Sequence, residues 1–378
     1  MKGNVEMNVL ILSCSTGEGH NSAAQAVYKQ FELENDNVIK KDFLSLYKVR
    51  KKPDFFSSCL NIITKKTPKV FGVLYKAGAI YSSTKITSPI YVVNGFYKKN
   101  LKKFVEENKI DVIVSTHLYA MECISHLKKS GDLKIKCYAV LTDYTCIPFL
   151  EETRQDGYFI PHKLLVDEVV SHGIKREIIY PTGIPVDSKF NDKLSKAEAR
   201  EKLGLDINKK IILIMTGGIG CGNIAAICKK LVAQYDDNYQ VLAMVGRNNE
   251  LKEELEKEFA NTIVKVIPFT KMVNYYMNAS DVLVTKPGGI STTEAAVANI
   301  PIIHAMAIPG CETKNASFFE ELGMSYNAKN EDEVFSYLGL LLNSEELRER
   351  ICTNQSLVIN KFAARDIVRI IKENERNN

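Results

Sequence analysis

Two stretches of this chain repeat one plan, and that plan narrows the folds open to it more than any other feature. Met7-Asn-Val-Leu-Ile-Leu-Ser13 is a continuous apolar run, followed by the turn Cys14-Ser-Thr-Gly-Glu-Gly-His-Asn21 and a helical pattern from Ser22 to Glu34. Lys210 to Met215 is another such run, followed by Thr216-Gly-Gly-Ile-Gly-Cys-Gly222 and a helical pattern to Ala233. A short run that is apolar at successive positions reads as a strand buried on both faces, which belongs in a parallel sheet covered by helices. Strand, glycine turn and helix together open a Rossmann-like unit. The fold class is therefore α/β, with two such units.

The rest of the pattern agrees. Further strands are expected at 37–43, 111–116, 136–142, 157–160 and 177–181 in the first half. In the second half they are expected at 239–245, 262–267, 281–285 and 300–304. Pro181-Thr-Gly-Ile-Pro-Val-Asp187 reads as a hinge, because two prolines and a glycine stop regular structure. A capping box, Ser195 with Glu198, then starts a fresh helix. The expected domains are 1–185 and 186–355. A terminal helix, about 356–378 with its pattern running from Asn354 to Asn374, is expected to pack back on the first domain. A chain of 378 residues suits two domains of about 150–200 residues each.

The charge is informative only once located. Between Arg50 and Lys103 there are twelve Lys or Arg against one acid, Asp54, so this segment carries +11 and the remainder −6 of a total of +5. Aromatic residues from Phe55 to Tyr97 are interleaved with those lysines. The mixture suits an anionic membrane surface, single-stranded nucleic acid, or a pair of core helices with solvated lysine faces. No apolar run reaches the length of a spanning helix, and the first apolar segment is too short for a signal sequence. The nine cysteines include no C-x-x-C pair and read as reduced thiols, which points to the cytosol.

Candidate chemistry gathers where strands end. Asp281-Val-Leu-Val-Thr285 runs into Lys286-Pro-Gly-Gly-Ile-Ser-Thr-Thr-Glu294, a strand, glycine turn and helix N-terminus. Gly288 and Gly289 allow close backbone approach, Ser291 to Thr293 supply hydroxyls and N–H groups at the positive end of a helix, and a phosphate fits there. Glu294, one turn on, is placed to accept hydrogen bonds from ribose hydroxyls. An ordinary strand–helix turn is the plainer alternative. In the first half His20 opens a helix, His117 ends a strand in Ser115-Thr-His, and Asp143 follows another in Leu141-Thr-Asp. They are acid–base candidates, or else structural capping residues. The first turn lacks the third glycine of a dinucleotide fingerprint, and Gly217–Gly222 lacks the Lys-Ser/Thr pair of a P-loop. No residue pattern calls for a metal.

Taken together, Ser15-Thr-Gly-Glu-Gly-His-Asn-Ser-Ala23, Thr142-Asp-Tyr-Thr-Cys-Ile-Pro148, Pro181-Thr-Gly-Ile-Pro-Val186, Thr216-Gly-Gly218, Thr285-Lys-Pro-Gly-Gly289 and Pro309-Gly-Cys-Glu-Thr-Lys-Asn315 carry a resemblance over nearly the whole chain. In order and spacing the chain resembles the monogalactosyldiacylglycerol synthase and processive diacylglycerol glucosyltransferase family. More distantly it resembles the lipid-linked N-acetylglucosaminyltransferase of cell-wall synthesis. The resemblance implies a GT-B fold, two Rossmann-like domains facing each other across a cleft, and inverting, metal-independent transfer of glucose or galactose from a UDP-sugar to diacylglycerol or a glycosyl-diacylglycerol.

By that resemblance Phe269 and Thr270 would face the uracil and Glu294 the ribose. Thr216, Gly217, Gly218, Lys286, Gly288, Gly289, Ser291 and Thr292 would face the diphosphate, and Glu312 and Asn315 the sugar. His20 would be the base, with His117 and Asp143 as the other candidates. Gly17, Glu18, Gly19 and Asn21 would form the acceptor or phosphate loop. Lys51, Lys52, Phe55, Phe56, Lys65 and Lys66 would meet the membrane, and the protein would be peripheral on the inner face of the cell membrane. UDP-hexose, a lipid acceptor and an anionic membrane are the expected partners, with no cofactor and no nucleic acid. Two positions depart from the family pattern: Glu18 stands where many relatives have glycine, and Cys146-Ile-Pro148 lacks the histidine of plant-type members. A transferase to another lipid or a soluble acceptor, a UDP-sugar epimerase and a nucleotide-sugar sensor are the alternatives.

Overall fold

The computed structural model describes residues 6–15, 18–46, 78, 81–82, 86–192, 194–215 and 224–376; Gly17, Lys51, Lys52, Phe55, Phe56, Lys65, Lys66 and Thr216–Gly218 lie outside them. The chain divides into two compact units, one of Met1–Asp187, Pro309–Cys311 and Lys361–Asn378, the other of Ser188–Ile308 and Glu312–Asn360. Each is built on one six-stranded sheet. All strand pairs among the described residues are parallel.

The first sheet contains β1 (Asn8–Ser13), β2 (Asn37–Asp42), β3 (Val112–Ser115), β4 (Lys136–Val140), β5 (Gly157–Phe159) and β6 (Ile179–Tyr180), in the order 2-1-3-4-5-6. The unbroken apolar character of β1 follows from its central place. Val9 and Ile11 pack into a cluster with Ala24, Val27 and Phe31, while Leu10 and Leu12 pack into another with Leu101, Val105 and Ile124. Burying each such side chain contributes about 1.5–3 kcal/mol. The strand is anchored on both faces.

The second sheet contains β7 (Lys210–Met215), β8 (Tyr239–Gly246), β9 (Val264–Pro268), β10 (Val282–Thr285), β11 (Ile302–His304) and β12 (Ser325–Asn327), in the order 12-11-10-7-8-9. In both sheets the order reverses beside the first strand, between β1 and β3 and between β7 and β10. In open α/β sheets, ligands bind at the carboxyl ends of the strands flanking such a reversal. The capping box on helix Lys196–Leu203 is present in full, and Gly204 closes that helix in the left-handed region at φ 61°.

Three sequence expectations change. The first helix begins at Glu18, four residues early, which puts His20 in its opening turn. The strand expected over 177–181 is reduced to Ile179–Tyr180, because Arg176–Ile178 turn as a 3-10 helix. The terminal pattern is two helices, Glu345–Val358 and Ala363–Arg376. The first is held in the second unit by Gln355, whose amide donates to the carbonyls of Ile300 and Met324, both at 3.0 Å. The other is built into the first unit, where Ile367, Val368 and Ile371 join the β1 cluster. Lys372 there pairs with Asp36 at 2.7 Å and Glu34 at 2.9 Å. Because the two helices belong to different cores, Ile359 takes an extended backbone between them.

Candidate active site

In the first unit β1, β3 and β4 lie side by side, so the residues that follow them share one edge. His20, His117 and Asp143, far apart in sequence, are gathered this way. The rings of His20 and His117 meet edge to face with centroids 4.6 Å apart. His20 Nδ1 lies 2.8 Å from the Thr116 carbonyl oxygen and 3.2 Å from the Thr142 hydroxyl. A carbonyl can only accept, so Nδ1 carries the proton, and Nε2 is the basic nitrogen of the neutral ring. The Thr116 hydroxyl also donates to the His20 carbonyl at 3.1 Å, so one residue grips both ends of the histidine.

Electrostatics keep this imidazole neutral at moderate pH. Burial holds the His20 pKa below its ordinary 6.5, partly offset by the Asp143 carboxylate and the Thr116 carbonyl, both of which favour the charged form. His117 differs. It caps helix Leu118–Lys129, its Nδ1 accepting from the Tyr119 N–H at 3.2 Å, and burial followed by the charge of His20 pushes it well below 6.5. With Nδ1 occupied by the cap, its proton sits on Nε2. Of the two histidines, His20 is the one whose Nε2 is left without the proton. In the adjoining loop, Glu18 is exposed, Gly19 is half-buried, and the Asn21 side-chain oxygen accepts from Ser13 Oγ at 2.6 Å.

The described end of the basic, aromatic interval is helical, with Pro89–Asn94 and Lys98–Glu107 joined by a 3-10 turn. Tyr91 is buried, whereas Ile86, Val92, Val93 and Phe96 are exposed beside a run of lysines. No helix among the described residues is long and apolar enough to cross a membrane.

In the second unit β10 lies next to β7, Thr285 opposite Met215, at the reversal of the sheet. The chain then turns tightly, the Gly288 N–H donating to the Lys286 carbonyl at 2.9 Å. Gly288 caps helix Gly289–Ala298 without a side chain to occupy the first N–H groups. A Cβ on Gly288 would come within 3.2 Å of Ser291 Oγ. An uncapped helix start beside a lysine is an anion site. Lys286 Nζ lies 2.6 Å from Glu312, and Glu294 is half-buried one turn into the helix. Phe269 is exposed after β9 with the Arg247 guanidinium 4.2 Å from its ring centre, while Thr270 Oγ1 accepts the Met272 N–H at 3.0 Å.

Thr292 requires a correction. Its N–H donates to the Gly288 carbonyl within the helix, and its buried hydroxyl lies 3.2 Å from His304 Nε2. Its side chain is thus taken up by the core contact with His304. His304, whose pKa burial takes down to about 3, also meets Ser325 at 3.1 Å, so a neutral histidine ties helix Gly289–Ala298 to β12. Asn315 is likewise buried, its amide donating to the Pro287 carbonyl at 3.0 Å. Sequence reasoning also assigned no role to Thr116, Thr142 or Arg247. The first two stand beside candidate histidine and aspartate in Ser115-Thr-His117 and Leu141-Thr-Asp143, which was the available signal.

Comparison with known proteins agrees with this division. Residues 20–186 match the monogalactosyldiacylglycerol (MGDG) synthase family and residues 211–361 the glycosyltransferase family 28 C-terminal domain. The processive diacylglycerol beta-glucosyltransferase of Bacillus subtilis is 28% identical over 368 residues, covering 93% of this chain and 91% of that protein. MurG of Acinetobacter baumannii has a similar fold, with a TM-score of 0.62 at 13% identity over 98% of this chain and all of that one. The UDP-GlcNAc 2-epimerase of Neisseria meningitidis, solved with UDP-GlcNAc bound, gives 0.62 at 15% identity over 97% of this chain and 100% of that one. At such identities the structural likeness speaks to fold alone. Residues 20–186 thus carry a monogalactosyldiacylglycerol synthase domain and residues 211–361 a glycosyltransferase family 28 C-terminal domain, and the protein is a UDP-sugar glycosyltransferase of GT-B fold, similar along almost its whole length to a processive diacylglycerol beta-glucosyltransferase.

Proposed function

We propose that the protein transfers glucose or galactose from a UDP-sugar to diacylglycerol or a glycosyl-diacylglycerol, with inversion at the anomeric carbon and without a metal. The acceptor hydroxyl gives its proton to His20 Nε2 as its oxygen bonds to the sugar C1. The bond from C1 to the UDP oxygen breaks on the opposite side, and UDP leaves with the electron pair. Lys286 and the start of helix Gly289–Ala298 offset the charge that develops on the diphosphate, the task a metal performs in other transferases. Ser291 and the backbone at Gly288 and Gly289 line the phosphate turn, and Glu294 takes the ribose hydroxyls. The single observation that carries this reading is the fixed tautomer of His20, which leaves a neutral nitrogen base at the sheet reversal.

The reaction runs at the inner face of the cell membrane. Exposed Ile86, Val92, Val93 and Phe96 beside the lysines support contact with anionic lipid, and the seven described cysteines are all free thiols, as a reducing compartment favours. The test incubates purified protein with UDP-glucose or UDP-galactose and diacylglycerol vesicles. Hexosyl-diacylglycerol, detected by mass, is expected in step with UDP release, and vesicle binding is expected to need anionic lipid and to fade with salt. A UDP-sugar converted to its epimer with no glycolipid, or bound for hours and not consumed, would replace the transferase reading by an epimerase or a sensor.

A further inference from the structure

Glu312 and Asn315 lie one helical turn apart on helix Cys311–Glu321, and they reach successive residues of the phosphate turn, Lys286 and Pro287. Glu312 Oε1 lies 2.6 Å from Lys286 Nζ, and Asn315 Nδ2 donates to the Pro287 carbonyl at 3.0 Å. The second carboxylate oxygen of Glu312 is also engaged: Oε2 accepts the Ile308 N–H at 2.9 Å. That N–H belongs to the loop between β11 and the helix, where Gly310 turns the chain at φ 127°, a value that favours glycine. The carboxylate is thus oriented by its own loop before it meets the lysine. Its side chain is only 15% exposed and that of Lys286 23%.

A free lysine side chain spreads over many rotamers, and binding a phosphate must collapse them. Here one of the three ammonium N–H groups is already held by Glu312, which restricts a lysine that stands two residues before the N-cap Gly288 of helix Gly289–Ala298. We propose that Glu312 acts in donor binding as a positioning residue for Lys286, with Asn315 holding the neighbouring Pro287 carbonyl, so that helix Cys311–Glu321 sets the geometry of the diphosphate turn. This rests on the donor site described under the proposed function, and it gives Glu312 a role that does not depend on a sugar being present.

The substitution Glu312→Gln tests it, because an amide has one acceptor oxygen where the carboxylate offers two, so Lys286 or Ile308 must lose its partner. Affinities for uridine, UDP and UDP-glucose are measured by calorimetry in the wild type, Glu312→Gln, Lys286→Met and the double variant. Glu312→Gln is expected to weaken UDP and UDP-glucose alike, by about tenfold, the scale of one charge-assisted hydrogen bond, and to leave uridine unchanged. Lys286→Met should then add little in the Glu312→Gln background. Loss confined to UDP-glucose, tighter UDP binding, or a Lys286→Met effect of the same size in both backgrounds would overturn the proposal. Equal loss for uridine would make the role merely structural and overturn it too. If the wild type bound no UDP at all, the donor-site reading itself would fall, an outcome separate from these.

Discussion

Glu122 is fully buried on helix Leu118–Lys129, and its replacement by glutamine gives a prediction with a definite pH signature. The carboxyl accepts from Asn94 Nδ2 at 2.5 Å through one oxygen, while the other has no partner. Around it stand Glu151 and Glu152 from the 3-10 turn Leu150–Glu152 and Tyr119 on its own helix. Burial pushes its pKa from 4.5 up to about 8. The Asn94 hydrogen bond opposes this, and the charges of Glu152 and Glu151 add to it. The folded state therefore holds a proton that the unfolded state releases. Stability from this group is complete below pH 4.5 and is lost as pH rises through about 8.

The distance between those values corresponds to roughly 4–5 kcal/mol, an upper bound because relaxation and water entry soften the cost of a buried charge. Glutamine keeps the shape and the acceptor for Asn94 but cannot ionise. The Tm of Glu122→Gln relative to wild type should stay nearly flat at pH 4–5, widen through neutrality, and favour the variant by roughly 5–15 °C at pH 9, at about 2–4 °C per kcal/mol for a unit of this size. Scanning calorimetry or dye-monitored melting of both proteins across that range measures it. Other titrating groups are common to the two proteins and cancel in the difference. A Tm difference that does not grow with pH would refute the reasoning.

His20→Ala should lower kcat by about 10²–10⁴-fold with UDP affinity retained. Because burial depresses its pKa, the acid limb of kcat/KM should lie below pH 6.5, and Asp143→Asn should move it lower still by removing the charge that favours imidazolium. Unchanged turnover in His20→Ala would move the base to His117 or Asp143. Thr292→Val leaves His304 Nε2 without its partner and should cost about 1–3 kcal/mol of stability, seen as a lower Tm, with UDP affinity unchanged. A loss of UDP affinity with Tm intact would return Thr292 to the diphosphate.

Local patterning made much of this protein legible. The apolar runs of β1 and β7, the Ser195–Glu198 capping box and the turn after β10 are local consequences of residue type, and each was readable where it stands. Thr292 could not be assigned in the same way. Its hydroxyl lies in a hydroxyl-rich helix start that looks uniform in sequence, and only the packing against His304 shows which way it faces. The single pattern over 354–374 misled for a related reason: helical periodicity continues across Ile359, but the two halves are buried in different cores.

The sequence by itself determined the two α/β units, the glycine turn after β10 and the identity of the ionisable residues that follow the strands, because these depend on continuous apolar runs, on a helical period of 3.6 residues and on backbone freedom at glycine. Tertiary structure alone decided which ionisable groups act on one another. Strand order brought His20 to His117 and Thr142, and helix Cys311–Glu321 brought Glu312 to Lys286. Those partners are separated by 26 to 122 residues, and an interaction that falls off within a few ångströms is set by folding rather than by spacing along the chain.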